Sequence, residues 1–317
     1  MREASRSDSM GGGGRATGGQ DQLADVGRGV TLCYRRSGGG EIPLVLIAGL
    51  GQQMHDWPDG LCAPLADLGY NVIRFDNRDV GKSTHFGFRP PGPVDLLRKR
   101  WHTDQYDLAD MAADTVGLLD VLGLNSAHLV GMSMGGMIAQ TVAARYPDRV
   151  ASLTSIMSTT GAPRVGRPAL STWRLMFGRP ARNRDEHIAS AVRMYRHISS
   201  RGYPFDESAV AAAAAATWDR DPRPAAGVGR QLAGILKSGD RTAELGAVAA
   251  PTLVVHGDRD LMVNPTGATR TARAIAGARL HTLPGMGHDL PVGVWPALTD
   301  LLDTHIRTAR STDAPHR

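Results

Sequence analysis

The sequence predicts a doubly wound, mostly parallel α/β sheet carrying an inserted helical cap. Three observations predict it. Short aliphatic runs of strand type alternate with segments of helical periodicity over most of the chain. One long segment, 164–248, breaks that alternation with helical patches and no convincing strand. Between a strand-type run and a helix-forming run stands Gly131-Met132-Ser133-Met134-Gly135, a G-x-S-x-G sequence whose glycines suit an abrupt strand-to-helix turn. A length of 317 residues with 42% hydrophobic content suffices for one large domain with an insertion, or for two domains.

Taken in order, Val30–Tyr34 reads as an early strand, followed by a turn at Ser37-Gly38-Gly39-Gly40. Ile42–Ile47 is a nearly continuous aliphatic run, of the kind that a parallel sheet buries on both faces. Apolar residues recur at helical spacing from Trp57 to Leu68, and Asn71–Phe75 is the next strand. Leu108–Leu122 is a helix with Leu108, Met111, Thr115, Leu118 and Leu119 on one face. Ala127–Val130 and Met137–Ala144 are the strand and helix that flank the G-x-S-x-G turn, and Val150–Met157 is a further strand. Helical patches then fall at Asp185–Ile198, Glu207–Trp218 and Val228–Leu236. The alternation resumes with a strand at Pro251–Gly257, a helix at Pro265–Ile275, a strand at Arg279–Leu283 and a closing helix at Val292–Thr308.

This order divides the chain into a core of 25–163 and 249–310, a helical cap of 164–248, and two tails. The first, 1–24, is polar and glycine-rich without an apolar signal-type stretch, and reads as disordered. The second, 311–317, reads as frayed. No run approaches the roughly 18 apolar residues that a membrane span needs, so a soluble, cytoplasmic protein is expected. The net charge of +5 comes from scattered arginines rather than one basic face, which argues against a nucleic-acid partner. Two cysteines, Cys33 and Cys62, point to buried thiols rather than a disulfide framework.

The turn at Ser133 carries the chemistry. It lifts the serine hydroxyl above the sheet and leaves the backbone N–H of Met134 facing the same space at a helix N-terminus. A serine needs a base to take its proton and a third group to orient that base. Both residue types stand at the carboxyl ends of later strands, in His256-Gly257-Asp258-Arg259-Asp260 and in Pro284-Gly285-Met286-Gly287-His288-Asp289. His288 is the candidate base, and Asp258 and Asp260 both offer a carboxylate. A developing oxyanion requires two backbone donors. One is the N–H of Met134, and the loop after the strand ending at Ile47 offers a second, the N–H of Leu50.

From about Thr31 to Thr308 the chain resembles a single-domain α/β-hydrolase, and within that fold it is similar to aclacinomycin methylesterase and related small esterases. The resemblance rests on Gly49 with Trp57-Pro58, on Arg74-Phe75-Asp76-Asn77-Arg78-Asp79-Val80-Gly81-Lys82-Ser83-Thr84, on Gly131-Met132-Ser133-Met134-Gly135, and on Gly285-Met286-Gly287-His288-Asp289-Leu290-Pro291. It implies the triad order Ser…Asp…His, and its G-x-x-D pattern falls on Gly257 and Asp260, which selects Asp260 over Asp258. Many relatives read His-Gly where this chain has Ala48-Gly49, a change that keeps the backbone donor.

Other motifs fail on inspection. Gly81-Lys82-Ser83-Thr84 imitates the end of a phosphate-binding loop, but the required first glycine is Asp76. Gly49-x-Gly51 lacks the third glycine of a dinucleotide fingerprint, and Asp258-x-Asp260 meets Met262 where a calcium loop needs a ligand. No histidine spacing suits zinc. The expected protein is thus a serine carboxylic-ester hydrolase without metal or other cofactor, acting on a small-molecule ester. Trp173, Phe177, Tyr195 and Trp218 of the cap are candidate substrate contacts. The same triad could serve carbon–carbon hydrolysis, perhydrolysis or acyl transfer, and a non-catalytic ligand-binding protein is the remaining class.

Overall fold

A computed structural model of the chain describes residues 19–176, 178–222 and 224–313. Eight strands form one sheet: β1 (Gln22–Asp25), β2 (Thr31–Ser37), β3 (Ile42–Ile47), β4 (Tyr70–Phe75), β5 (Ala127–Met132), β6 (Val150–Ile156), β7 (Thr252–Gly257) and β8 (Arg279–Leu283). Their spatial order is β1-β2-β4-β3-β5-β6-β7-β8. β1–β2 and β2–β4 pair antiparallel, and every later pair is parallel. The doubly wound, mostly parallel sheet expected from the sequence is therefore present.

The helices outside the expected cap are α1 (Asp59–Asp67), α2 (Pro93–Leu97), α3 (Leu108–Val121), α4 (Met134–Arg145), α9 (Thr266–Ala274) and α10 (Trp295–Asp313); α5 (Leu170–Met176), α6 (Arg184–Ile198), α7 (Glu207–Arg220) and α8 (Pro224–Ser238) lie between β6 and β7. Strand side chains alternate between two apolar layers, as the two-residue period of a strand requires. Val45 and Ile47 join Met111, Leu118, Ile138 and Val142 of α3 and α4 on one face. Leu44 and Leu46 join Leu61 and Leu65 of α1 and Leu298, Leu302 and Ile306 of α10 on the other. Both faces are covered, which is why these strands read as unbroken aliphatic runs.

Several boundaries differ from the sequence reading, each for a local reason. Residues 22–24 were expected in the disordered tail, yet they belong to β1. Leu23 is 67% exposed and Ala24 only 1%, so this edge strand buries one small side chain and leaves little apolar signal. Residues 1–18 of that tail lie outside the described residues. α1 starts at Asp59 because Pro58 takes the cap position, leaving Trp57 extended and wholly buried. α10 runs through 311–313, expected to be frayed, while 314–317 lie outside the described residues. The short helices α2 and α5 give too few turns for a periodic signal and were not anticipated. Cys33 and Cys62 are both buried and unbridged.

The α5–α8 segment is tied to the core by buried and half-buried ion pairs. Arg230 of α8 holds Asp79, which follows β4, through two hydrogen bonds of 2.9 and 2.7 Å, and the Tyr106 hydroxyl adds a third at 2.8 Å. Arg220 of α7 reaches Asp76 at 2.5 Å and Asp21 at 2.6 Å. The first of these pairs is fully desolvated, so removing one partner leaves a buried charge unmatched. Arg230→Ala is expected to lower unfolding free energy by about 3–5 kcal/mol, measured by urea denaturation. A loss within about 0.5 kcal/mol, the usual scale of a surface substitution, would show that Asp79 is rehydrated or protonated at little cost.

Candidate active site

The order β4-β3-β5 reverses the winding of the sheet between β3 and β5, and such a reversal opens a crevice beyond the carboxyl ends of the strands. Ser133 stands there, between β5 and α4, with φ 54° and ψ −121°. A non-glycine residue is strained in that region, and its surroundings hold it there. Its N–H donates to Ile156 O at 2.9 Å, and its carbonyl accepts from Ser158 Oγ at 2.8 Å. The flanking glycines are needed for space. A Cβ on Gly131 would lie 2.1 Å from Gly135 O, and one on Gly135 would lie 2.0 Å from Ile47 O.

His288 Nε2 lies 3.1 Å from Ser133 Oγ, and His288 Nδ1 lies 2.7 Å from Asp260 Oδ2. With Nδ1 donating to the carboxylate, Nε2 is left as an acceptor for the serine proton. Asp260 Oδ1 accepts the N–H groups of Met262 and Val263, each at 2.8 Å, which fixes the carboxylate plane. Burial alone would raise the pKa of Asp260, but the adjacent His288 and hydrogen bonds from His256 and His288 outweigh it and hold the acid well below the usual carboxylate range. Asp258 takes a different place. It is exposed, and its Oδ1 accepts the Gly285 N–H at 2.7 Å, pinning the turn after β8.

The two backbone donors expected from the sequence, the N–H groups of Met134 and Leu50, lie at the start of α4 and in the loop after β3. Met134 begins α4, ahead of any intrahelical acceptor for its N–H. In the loop after β3, Gly49 N–H donates to Gln52 Oε1 at 2.8 Å, Gly51 N–H to Gln231 Oε1 at 2.8 Å, and Gln52 N–H to Gly49 O at 3.2 Å. Across Gly49–Gln53, whose other N–H groups all find acceptors, Leu50 N–H has none among the described residues. Asn77 Nδ2 steadies the loop by donating to Ala48 O at 3.1 Å.

Of the four cap aromatics, Tyr195 on α6 comes to the loop after β3, where its hydroxyl accepts from Gln52 Nε2 at 3.2 Å. Trp218 on α7 packs against the His187 ring of α6, with ring centroids 5.4 Å apart. Trp173 is half-buried on α5, and Phe177 lies outside the described residues.

Several residues at the site were not singled out from the sequence. His256 Nε2 lies 2.8 Å from Val263 O and 3.3 Å from Asp260 Oδ2, behind the carboxylate. The loop carrying His288 is clasped by the end of α6. His288 N–H donates to Ile198 O at 2.8 Å, Gly287 N–H donates to Ser200 Oγ at 2.8 Å, and Asp289 Oδ1 accepts Ser200 N–H at 2.8 Å. Asp76, Asp79 and Asp289 all lie in the stretches that carry the family resemblance, but nothing in those stretches names partners on α6, α7 or α8. Among the described residues no group of three or more His, Cys, Asp or Glu is arranged to hold a metal ion. Nor, among them, is any helix long and apolar enough to cross a membrane.

The alpha/beta hydrolase fold family matches residues 42–292. A rhodomycin D methylesterase of Streptomyces peucetius is 30% identical over 85% of this chain and 92% of its own length. A second rhodomycin D methylesterase, from Streptomyces sp. (strain C5), is 29% identical over the same shares of the two chains. Among solved structures, the enol-lactonase of Burkholderia xenovorans superposes with a TM-score of 0.69 at 23% identity, covering 90% of this chain and all of that one. At that identity the likeness concerns the fold.

Proposed function

Since the chain belongs to the alpha/beta hydrolase fold family, we propose that it is a serine hydrolase that cleaves carboxylic esters through Ser133, His288 and Asp260. The observation that carries this reading is the continuous hydrogen-bonded line from Ser133 Oγ through His288 to Asp260, at 3.1 and 2.7 Å. His288 takes the Ser133 proton as Oγ attacks the ester carbonyl. The carbonyl oxygen, now negative, lies between the N–H groups of Leu50 and Met134. His288 then passes its proton to the leaving alcohol, and an acyl group remains on Ser133. Water attacks that acyl-enzyme with His288 again as base, and the carboxylic acid departs. Asp260 stays ionised throughout, holding the imidazole in the tautomer that accepts at Nε2.

The named activity of the two methylesterase relatives supports methyl esters, whose leaving group is methanol, as the substrate class to test first. The test is turnover of a p-nitrophenyl ester together with methanol release from carboxylic methyl esters. Hydrolysis of neither by folded protein would overturn the reading.

Segment 164–248 is proposed as a cap that adds apolar binding contacts above Ser133. Its helices leave the core after β6 and return at β7, which leads directly into the Asp260 loop. Changing Trp173, Phe177 or Trp218 to Ala is therefore expected to reorder kcat/KM among short and medium acyl esters. The expected size is about 1–3 kcal/mol per methylene-sized change. Folded variants that all keep the wild-type ranking would show that these aromatics only hold the cap together.

A further inference from the structure

The cap grips the loop after β3 at three consecutive residues. Gly51 N–H donates to Gln231 of α8 at 2.8 Å, and Gln52 Nε2 donates to the Tyr195 hydroxyl of α6 at 3.2 Å. Gln53 Nε2 donates to Thr217 O of α7 at 3.0 Å, while its Oε1 accepts from Arg220 Nε at 2.8 Å. Gln52 stands apart because both ends of its amide are engaged inside the site. Its Oε1 accepts the Gly49 N–H at 2.8 Å. A Cβ placed on Gly49 would lie 2.5 Å from that oxygen and 3.2 Å from the Cβ of Ser133, so the amide and the serine flank the same backbone position.

The amide can point only one way. Turning it over would set Nε2 against the Gly49 N–H, donor against donor. Tyr195 secures the far end, and burial holds its phenol above the usual value, so it remains a neutral hydroxyl able to accept from Nε2. With Gly49 N–H drawn to Gln52 and Gly51 N–H drawn to Gln231, Leu50 N–H between them is left with no acceptor among the described residues.

On the ester-hydrolase reading above, we propose that Gln52 is a positioning residue for the oxyanion hole, and that Tyr195 transmits the position of the cap to it. The cap then contributes to the chemistry as well as to binding. Full negative charge exists only in the tetrahedral state, so misplacing Leu50 N–H acts on kcat more than on KM.

The test compares Gln52→Met, Tyr195→Phe and the double variant on p-nitrophenyl acetate and butyrate. It also measures affinity for a trifluoromethyl ketone, which forms a tetrahedral adduct with an active serine. Gln52→Met keeps side-chain length and removes both hydrogen bonds. It is expected to lower kcat about 10–100-fold, by the same factor for both esters, with KM within about threefold and ketone affinity falling in parallel. Tyr195→Phe should do the same on a smaller scale. The double variant should lose no more than Gln52→Met alone, because both act through one amide. A rise confined to KM and unequal between the esters would make Gln52 a substrate contact and overturn the proposal. Unchanged kcat and ketone affinity would overturn it as well. Should Gln52→Met not fold, Tyr195→Phe decides by the same two readouts. A wild-type protein inert on both esters would remove the ester-hydrolase reading itself, whereas Ser133-dependent wild-type turnover with an unaffected Gln52 variant would remove only this inference.

Discussion

Ser133→Ala is expected to lower ester turnover by at least about 10³-fold without lowering stability. The hydroxyl touches little else. Among the described residues its hydrogen-bond partner is His288 Nε2, at 3.1 Å, while the N–H and carbonyl of residue 133 remain bonded to Ile156 and Ser158. Alanine pays the same backbone strain as serine at φ 54°. What disappears is the nucleophile alone. The Leu50 and Met134 N–H groups would still polarise a bound carbonyl, which accounts for a residual rate above that of water. The measurement is kcat on p-nitrophenyl acetate beside urea unfolding of the same sample. Wild type is expected to give an active-site burst of p-nitrophenol, and Ser133→Ala to give none. Near-wild-type turnover in pure Ser133→Ala would remove the nucleophile assignment and with it the proposed function.

The second large effect separates the two aspartates. Asp260→Asn should reduce kcat by about 10³–10⁴-fold, whereas Asp258→Asn should stay within about threefold of wild type. The contrast follows from what each carboxylate accepts. Asp260 Oδ1 already receives the N–H groups of Met262 and Val263, so an asparagine would place its carbonyl oxygen there and its NH₂ where Oδ2 faces His288. That NH₂ donates to Nδ1 and drives the ring proton to Nε2, where it opposes the serine hydroxyl instead of accepting from it. Among the described residues Asp258 accepts the Gly285 N–H and forms a looser, exposed ion pair with Arg259 at 3.7 Å, and an asparagine oxygen keeps the first bond. The pair is read as kcat ratios at one pH well above the carboxylate range. Losses in the reverse order would make Asp258 the acid of the triad and would leave Asp260 as a loop cap.

The division between what the residues announced and what the fold added follows the range of the interactions. The alternation of Leu44 and Leu46 with Val45 and Ile47 betrays a strand covered on both faces, because side-chain direction alternates within the strand itself. The turn at Gly131–Gly135 is legible in part for the same reason: Gly131 answers to a clash with Gly135 four residues on, whereas Gly135 makes room for Ile47 O of the neighbouring strand. Ser133, His288 and the acid loop could be named because each sits at the end of a strand, and strand ends are marked locally by hydrophobic runs and glycine. β1 was lost to the tail because its pairing with β2, rather than its own composition, makes it a strand.

By itself, then, the sequence determined the parallel-sheet class, the strand-to-helix turn at Ser133, and the chain order of the candidate serine, aspartates and histidine. Resemblance was needed to prefer Asp260 over Asp258 before the structure brought Asp260 to His288. Only the tertiary structure decided that Leu50 N–H, among the described residues of Gly49–Gln53, is left open, and that α6, α7 and α8 hold that loop. It alone matched Arg230 with Asp79, 151 residues apart, and Tyr195 with Gln52, 143 residues apart. The physical reason is that a hydrogen bond or ion pair between distant residues leaves no periodic mark on either neighbourhood. Arg230 is paired because its burial demands it, and the partners of both it and Gln52 are chosen by the packing that brings α6, α7 and α8 over the sheet.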